Sequence, residues 1–231
     1  MAINAIIMAA GKGERLRPLT ETTPKPLIEI HGTPMIENII TSLKQKGVDD
    51  ITIVTGYLKD KFEYLKDKHQ INIINNPDYD KANNISSLYY AKEKLGDTII
   101  LDGDQIINNL DIIKLDFTKS GYVCIPINTF KREWILSLDK NNKITSCLRD
   151  GGDHGYELKS LSFWTRKDTE KLKQLLVQEY ENKGRANVYW DDVAMFLHPD
   201  KFELYGYIIK ENDIEEIDSL EELQAIDERY R

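Results

Sequence analysis

The stretch Asn4-Ala5-Ile6-Ile7-Met8-Ala9-Ala10-Gly11-Lys12-Gly13-Glu14-Arg15-Leu16-Arg17-Pro18-Leu19-Thr20, continued by Glu21-Thr22-Thr23-Pro24-Lys25-Pro26, carries the reading of this chain. Asn4–Ala10 is too uniformly apolar to have a wet face, as expected of a strand inside a parallel sheet. Gly11 and Gly13 follow at once, at the carboxyl end of that strand, where backbone N–H groups can approach an anion with no Cβ in the way. Arg15 adds a guanidinium fork for phosphate oxygens. Lys25 stands between two prolines that stiffen its backbone, which suits a charge kept in one place. The competing reading is an ordinary strand-to-helix turn with Lys12, Arg15, Arg17 and Lys25 in solvent. A dinucleotide fingerprint is disfavoured because position 16 is Leu and Pro18 blocks an immediate helix, and no G-K-[ST] follows to make a P-loop.

Working outward, apolar runs at Asp50–Gly56, Ile71–Ile74 and Asp97–Leu101 read as further strands. Between them lie helical patterns. Thr33 as N-cap and Pro34 in the first turn open a helix carrying Met35, Ile36, Ile39, Ile40 and Leu43 and ending at Gly47, and Lys59–His69 and Asn84–Leu95 follow the same rule. Strand-helix-strand units of this kind make an α/β fold. From Gly121 the rhythm changes to strands at Gly121–Pro126, Ile135–Leu138 and Leu158–Trp164, a turn at Asn141-Asn142 and one long helix over Lys167–Asn182, read as a lobe grafted on the sheet.

With 231 residues, 41% of them apolar, and no linker or repeat, the chain reads as one domain, and its N-terminus, Met1-Ala2-Ile3-Asn4, lacks the features of a signal peptide, so a cytoplasmic protein without membrane insertion is expected. Cys124 and Cys147 match no metal or redox spacing and read as reduced, structural thiols, with a disulfide the weaker alternative. A formal net charge of -8 argues against nucleic acid as the main partner. An acidic protein that binds a nucleotide needs a local phosphate site and usually a divalent cation.

Two acidic groups fit that need. Asp102-Gly103-Asp104 follows the strand Asp97–Leu101, and Glu216 and Asp218 share a face of Glu215-Glu216-Ile217-Asp218-Ser219 if that segment is extended. The alternatives are a capped turn for the first, and for the second a solvated face with Asp218 or Ser219 capping a helix over Leu220–Asp227. Trp134, Trp164 and Trp190 are either core or part of a cage for a quaternary ammonium. His31, His69, His154 and His198 show no catalytic or ligand spacing and are given no role.

Gly11-x-Gly13-x-Arg15-x-x-Pro18-Leu19-Thr20 with Pro24-Lys25-Pro26 resembles the signature of sugar-phosphate and choline-phosphate nucleotidyltransferases; one departure is Glu14, where Ser or Thr is more usual. Gly56-Tyr57-Leu58-Lys59, Asn83-Asn84-Ile85-Ser86-Ser87, Glu133-Trp134, Tyr189-Trp190-Asp191 and Glu216-Ile217-Asp218-Ser219 extend the likeness to the bacterial phosphocholine cytidylyltransferases over nearly the full chain. The resemblance implies a Rossmann-like three-layer α/β/α fold with a mixed, mostly parallel sheet and a small acceptor-binding lobe. Within one domain over 1–231, residues 1–120 form the nucleotide-binding half and 121–231 the acceptor-binding half with the C-terminal helix. It implies that Ala9, Ala10, Gly11, Gly13 and Arg15 hold the triphosphate, that Arg15 and Lys25 contact the reacting phosphates, and that Asp104 and Asp218 bind Mg²⁺. It also implies that Asn84 with Ser86 or Ser87 faces cytosine, and that Trp134, Tyr189 and Asp191, with Glu216 nearby, line a choline site. The reaction it implies is CTP plus phosphocholine giving CDP-choline and pyrophosphate. Rival readings are the same chemistry on 2-aminoethylphosphonate, phosphoethanolamine or a sugar 1-phosphate, and a catalytically silent nucleotide-binding module.

Overall fold

A computed structural model describes residues 2–231; Met1, the first residue of the N-terminal stretch read above, lies outside them. The apolar run that opens the chain forms β1 (Asn4–Ala9), buried along its whole length. It lies parallel to and between β2 (Ile51–Thr55) and β4 (Thr98–Asp102), with Ile6 opposite Thr52 and Ile100, and β3 (Asn72–Asn75) adds parallel to the far side of β2. Successive β1 residues serve opposite cores. Ala5, Ile7 and Ala9 pack with Ile36, Ile39, Ile40 and Leu43 of α1 (Met35–Gln45), whereas Ile6 and Met8 pack with Ile85 and Leu88 of α3 (Ile85–Tyr90) and Leu172 and Leu176 of α4 (Arg166–Leu176). Both faces of the strand are thus covered, which explains why its sequence does not alternate.

β5 (Gln105–Ile107) turns out of the sheet after β4. The second half then rejoins it through β6 (Gly121–Ile127), β7 (Ile135–Leu138), β8 (Ile144–Leu148), β9 (Gly155–Trp164) and β10 (Tyr205–Ile208). β9 is the seam: it runs antiparallel to β4 over Leu161–Trp164 and to β6 and β7 on the other pairings, while β10 is parallel to β6. Of nine strands in this sheet, β8 and β9 run against the other seven, so the α/β/α sheet is mixed and mostly parallel. The second half therefore continues the first sheet through direct hydrogen bonds. β11 (Ile214–Glu216) pairs antiparallel with β5, setting Glu216 opposite Gln105.

Helix boundaries depart from the sequence pattern where local and tertiary demands compete. Thr33-Pro34 forms a two-residue ladder with Glu29-Ile30, and α1 begins only at Met35, so Thr33 does not cap it. Lys59–Phe62 is a 3₁₀ turn ahead of α2 (Tyr64–His69), and Lys92–Lys94 is another after α3. The long helix stops being α at Leu176, and the wider turn over Val177–Asn182 carries the fully buried Glu179 toward Lys183, Arg185 and His198. A short α5 (Trp190–Asp192) and α6 (Leu220–Ile226) complete the chain. Cys124 and Cys147 are free thiols, each pushed up to about 12, chiefly by burial, which leaves them unreactive. No helix among the described residues is long and apolar enough to cross a membrane.

Candidate active site

The carboxyl end of β1 opens on a cleft of about 490 Å³ lined by Ala9, Ala10, Gly11, Gly13, Arg15 and Lys25. Gly13 adopts a left-handed conformation at φ +62° and leads into a short 3₁₀ turn over Glu14–Leu16, so no α-helix starts at the loop. The Thr20 hydroxyl donates to the Gly13 carbonyl at 2.9 Å, and the Tyr57 hydroxyl donates to the Thr20 carbonyl at 3.0 Å. These bonds hold the loop from behind. A Cβ on Gly13 would lie 2.8 Å from the Lys25 Cβ, so loop and lysine are packed as one unit, whereas a Cβ on Gly11 would meet no protein atom within 4 Å. Gly11 is open toward the cleft.

Lys25 crosses the floor of the cleft. Its Nζ donates to Asp104 Oδ2 at 2.5 Å and to Asp218 Oδ1 at 2.7 Å, and Arg15 donates to the same Asp218 oxygen at 2.7 Å. Burial works to lower the Lys25 pKa, but the charges and hydrogen bonds of Asp104 and Asp218 outweigh it and raise it, so the ammonium stays charged. The converse holds at Asp218, where burial is outweighed by Lys25 and Arg15 and the pKa is lowered. Two distant segments build this pairing. Asp104 follows β4 in a tight turn, and β11 delivers Glu216 beside it, with the Ile217 N–H donating to the Asp104 carbonyl at 3.2 Å.

The capping reading of the C-terminal acids falls on Ser219 rather than Asp218. Ser219 caps α6 in a reciprocal bond pair with Glu222, which leaves the Asp218 carboxylate to accept from Lys25 and Arg15. Asp102, Asp104 and Glu216 each present an oxygen within 4.8 Å of the others. Burial, then Asp104 and Asp218, push Glu216 up to about 8, and burial with Asp104 and Glu216 holds Asp102 well above the carboxylate range. Asp104 Oδ1 is buried with no partner. Hard oxygen donors with an excess of negative charge and one unpaired oxygen fit a divalent cation.

One wall of the cleft contains Asn76, Tyr79, Asn83, Asn84 and Ser87. Asn76 Nδ2 donates to Ser86 Oγ and Ser87 Oγ at 2.9 Å each, and Ser86 also donates to the Asn83 carbonyl, so Ser86 is buried and fully engaged while Ser87 lines the cleft. Asn84 faces two ways: it lines the cleft, and its Oδ1 accepts from the Trp190 N–H at 2.9 Å, tying this wall to α5.

The three tryptophans divide. Trp164 and Trp190 are core, the first edge-on to Tyr122 and the second stacked on it, whereas Trp134 is half-buried and meets Tyr189 edge-on at 5.7 Å and Phe196 at 5.5 Å. Asp191 sits beside the Tyr122 hydroxyl; burial pushes it up to about 7, and its charge reaches Asp102. Trp134 and Tyr189 thus meet each other while Asp191 is turned to Tyr122, and none of the three lines the cleft that holds the loop. Sequence reading missed Asn76, Tyr79, Arg149 and Phe196. Asn75-Asn76-Pro77 at the end of a parallel strand was an available signal for the first, while Arg149 and Phe196 are joined to the site only by packing.

Residues 4–119 match the family model of nucleotidyl transferases. The chain is 37% identical to the 2-aminoethylphosphonate cytidylyltransferase of Lancefieldella rimae, over 98% of this chain and 93% of the relative. It is 34% identical to the choline-phosphate cytidylyltransferase of Streptococcus pneumoniae, over 98% of this chain and 97% of that one. The solved structure of CTP:phosphocholine cytidylyltransferase from Streptococcus pneumoniae superposes with a TM-score of 0.93 at 34% identity, covering all of both chains. A glycine loop braced onto a buried lysine, acids at the ends of β4 and β11, and full-length relatives of one kind agree: this chain belongs to the nucleotidyl transferase family and is a nucleotidyltransferase.

Proposed function

We propose that this chain transfers the cytidylyl group of CTP to a small acceptor carrying a phosphate or phosphonate at one end and an amine cation at the other, with release of pyrophosphate. Phosphocholine and 2-aminoethylphosphonate, the acceptors in the relatives' names, define the class. One observation supports the reading above the rest: the glycine loop and Lys25 line one cleft with Asp102 and Asp104, and the charge of Asp191, two residues after the Tyr189 ring that meets Trp134, reaches Asp102. A bifunctional acceptor with an anionic head and a cationic tail matches that polarity.

The acceptor's phosphate oxygen attacks the α-phosphorus of CTP, and the bond to the pyrophosphate oxygen breaks. The attacking oxygen is already anionic, so no protein nucleophile or general base is needed. Gly11 and Gly13 N–H groups with Arg15 grip the triphosphate, Lys25 neutralises the charge that builds on the leaving oxygens, and Ser87, rather than the engaged Ser86, donates to the base beside Asn84. Mg²⁺ held by Asp104 with Asp218, with Glu216 and Asp102 adjacent, would supply further neutralisation of the phosphate oxygens. A pyrophosphate-release assay tests the reading with CTP, UTP, dTTP and ATP crossed against phosphocholine, phosphoethanolamine, 2-aminoethylphosphonate and sugar 1-phosphates. Turnover only with a sugar 1-phosphate, or none with CTP, overturns it.

The acceptor end has its own pH signature. Asp191 holds a cation only when ionised, and its pKa stands near 7, so kcat/KM for the acceptor is expected to rise several-fold between pH 6 and pH 8. Asp191→Asn should flatten that limb while leaving the KM for CTP within about twofold. A limb of unchanged steepness in the variant would assign the titration to another group.

A further inference from the structure

The loop between β8 and β9 carries Arg149, a residue the reaction described above does not use. Its guanidinium carbon lies 4.0 Å from the Phe196 ring centroid and 5.1 Å from that of Trp134, and its Nη2 is ion-paired with Asp192, whose side chain is 2% exposed. The other Asp192 oxygen accepts from the Tyr189 N–H at 2.8 Å. The aromatic surface suited to a quaternary ammonium therefore already holds a cation belonging to the chain.

That occupation has unequal consequences for two kinds of amine. A trimethylammonium group needs the ring face, because it has no N–H to donate. To reach Trp134 it must displace the guanidinium, and it cannot replace the hydrogen bond to buried Asp192. A primary ammonium brings three donors and needs no ring. Asp191, one residue earlier and turned toward Tyr122 and Asp102, is a carboxylate with no ion-pair partner among the described residues, and it can accept from such a group.

We propose that Arg149 determines acceptor specificity by closing the Trp134–Phe196 face to quaternary ammonium groups, directing the enzyme to acceptors that end in a primary ammonium held at Asp191. This rests on reading Trp134, Tyr189 and Asp191 as the end of the site that receives the acceptor's amine.

Phosphoethanolamine and phosphocholine differ only in their three N-methyl groups, so their kcat/KM ratio with CTP is the direct readout. The wild type is expected to favour phosphoethanolamine, with 2-aminoethylphosphonate as a further primary-amine acceptor. Arg149→Ala is expected to move the ratio at least about tenfold toward phosphocholine, through the phosphocholine KM, with the KM for CTP unchanged. Because Arg149→Ala strands the buried Asp192 charge, Arg149→Ala with Asp192→Asn provides a second variant that removes both charges and keeps an acceptor for the Tyr189 N–H; it should shift the ratio in the same direction. A wild-type preference for phosphocholine, or an unchanged ratio in both variants, overturns the proposal. Trp134→Ala and Asp191→Asn separate the two levels: if neither moves any acceptor's KM, the reading of this end of the site fails, whereas if they do and Arg149→Ala leaves the ratio fixed, the specificity role alone fails.

Discussion

Lys25→Met is expected to lower kcat about 10³-fold while raising the KM for CTP far less, because a fixed cation aimed at developing charge stabilises the transition state more than the bound substrate. Methionine keeps the unbranched apolar stem of lysine and lacks only its terminal ammonium, so packing against Gly13 is kept and the charge is what changes. The variant also exposes what the lysine does for the fold. Asp104 and Asp218 both lean on its ammonium, and Glu216 and Asp102 stand beside them. Without Lys25 the cluster keeps Arg15, whose side chain is 71% exposed, and the charge of Lys159 on Glu216 to offset its negative charge. Glu216 already sits near 8 with Lys25 helping to lower it, so removing that help raises it further. A carboxyl with a raised pKa holds a proton in the folded state that the unfolded chain has released, and stability therefore falls as pH rises from Glu's ordinary 4.5 through the folded value. The Tm deficit of Lys25→Met should accordingly be larger at pH 8 than at pH 6. An unaltered kcat would remove Lys25 from the reaction, and a pH-independent deficit would remove it from the charge balance.

What could be read in advance follows from how local each determinant is. β1 and its loop were legible because an uninterrupted apolar run, two glycines and a proline each act within a few residues. Asp104 and Asp218 were legible as acids but not as partners; their meeting depends on β11 pairing with β5, and nothing in either segment encodes that register. At Asp218-Ser219 the cap falls on Ser219, and the Asp218 carboxylate pairs with Lys25 and Arg15 instead. The helices at Lys59–His69 and Asn84–Leu95 were correct in place and too long, because 3₁₀ turns at Lys59–Phe62 and Lys92–Lys94 take over part of each pattern. Arg149 was illegible for a stronger reason. A lone arginine before Asp150-Gly151-Gly152 looks like loop, and only the tertiary packing sets it against Trp134, Phe196 and Asp192.

Gly13→Ala should cost both stability and catalysis, and the contrast with Gly11→Ala isolates the cause. At Gly13 an alanine meets a left-handed φ of +62°, a penalty of about 1 kcal/mol, and its Cβ would lie 2.8 Å from the Lys25 Cβ and 3.0 Å from Thr20 Cγ2. Lys25 cannot retreat freely, since Pro24 and Pro26 fix its backbone and both of its carboxylate partners hold its tip. Relief of the overlap must move the ammonium, the loop, or both, by some tenths of an ångström or more. Displacement of that order in an aligned site is expected to lower kcat about 10²-fold. At Gly11 an alanine meets no protein atom within 4 Å and no positive φ, so Tm should stay within about 1 °C of wild type, as for surface substitutions that touch nothing. Its methyl instead projects where a triphosphate would approach the backbone, so the KM for CTP should rise about tenfold with kcat changing less. Melting curves with CTP titrations on the two variants separate these outcomes. If Gly11→Ala binds CTP normally, the phosphates do not approach the backbone there. If Gly13→Ala keeps full kcat, the lysine tolerates displacement and its position is not what the loop protects.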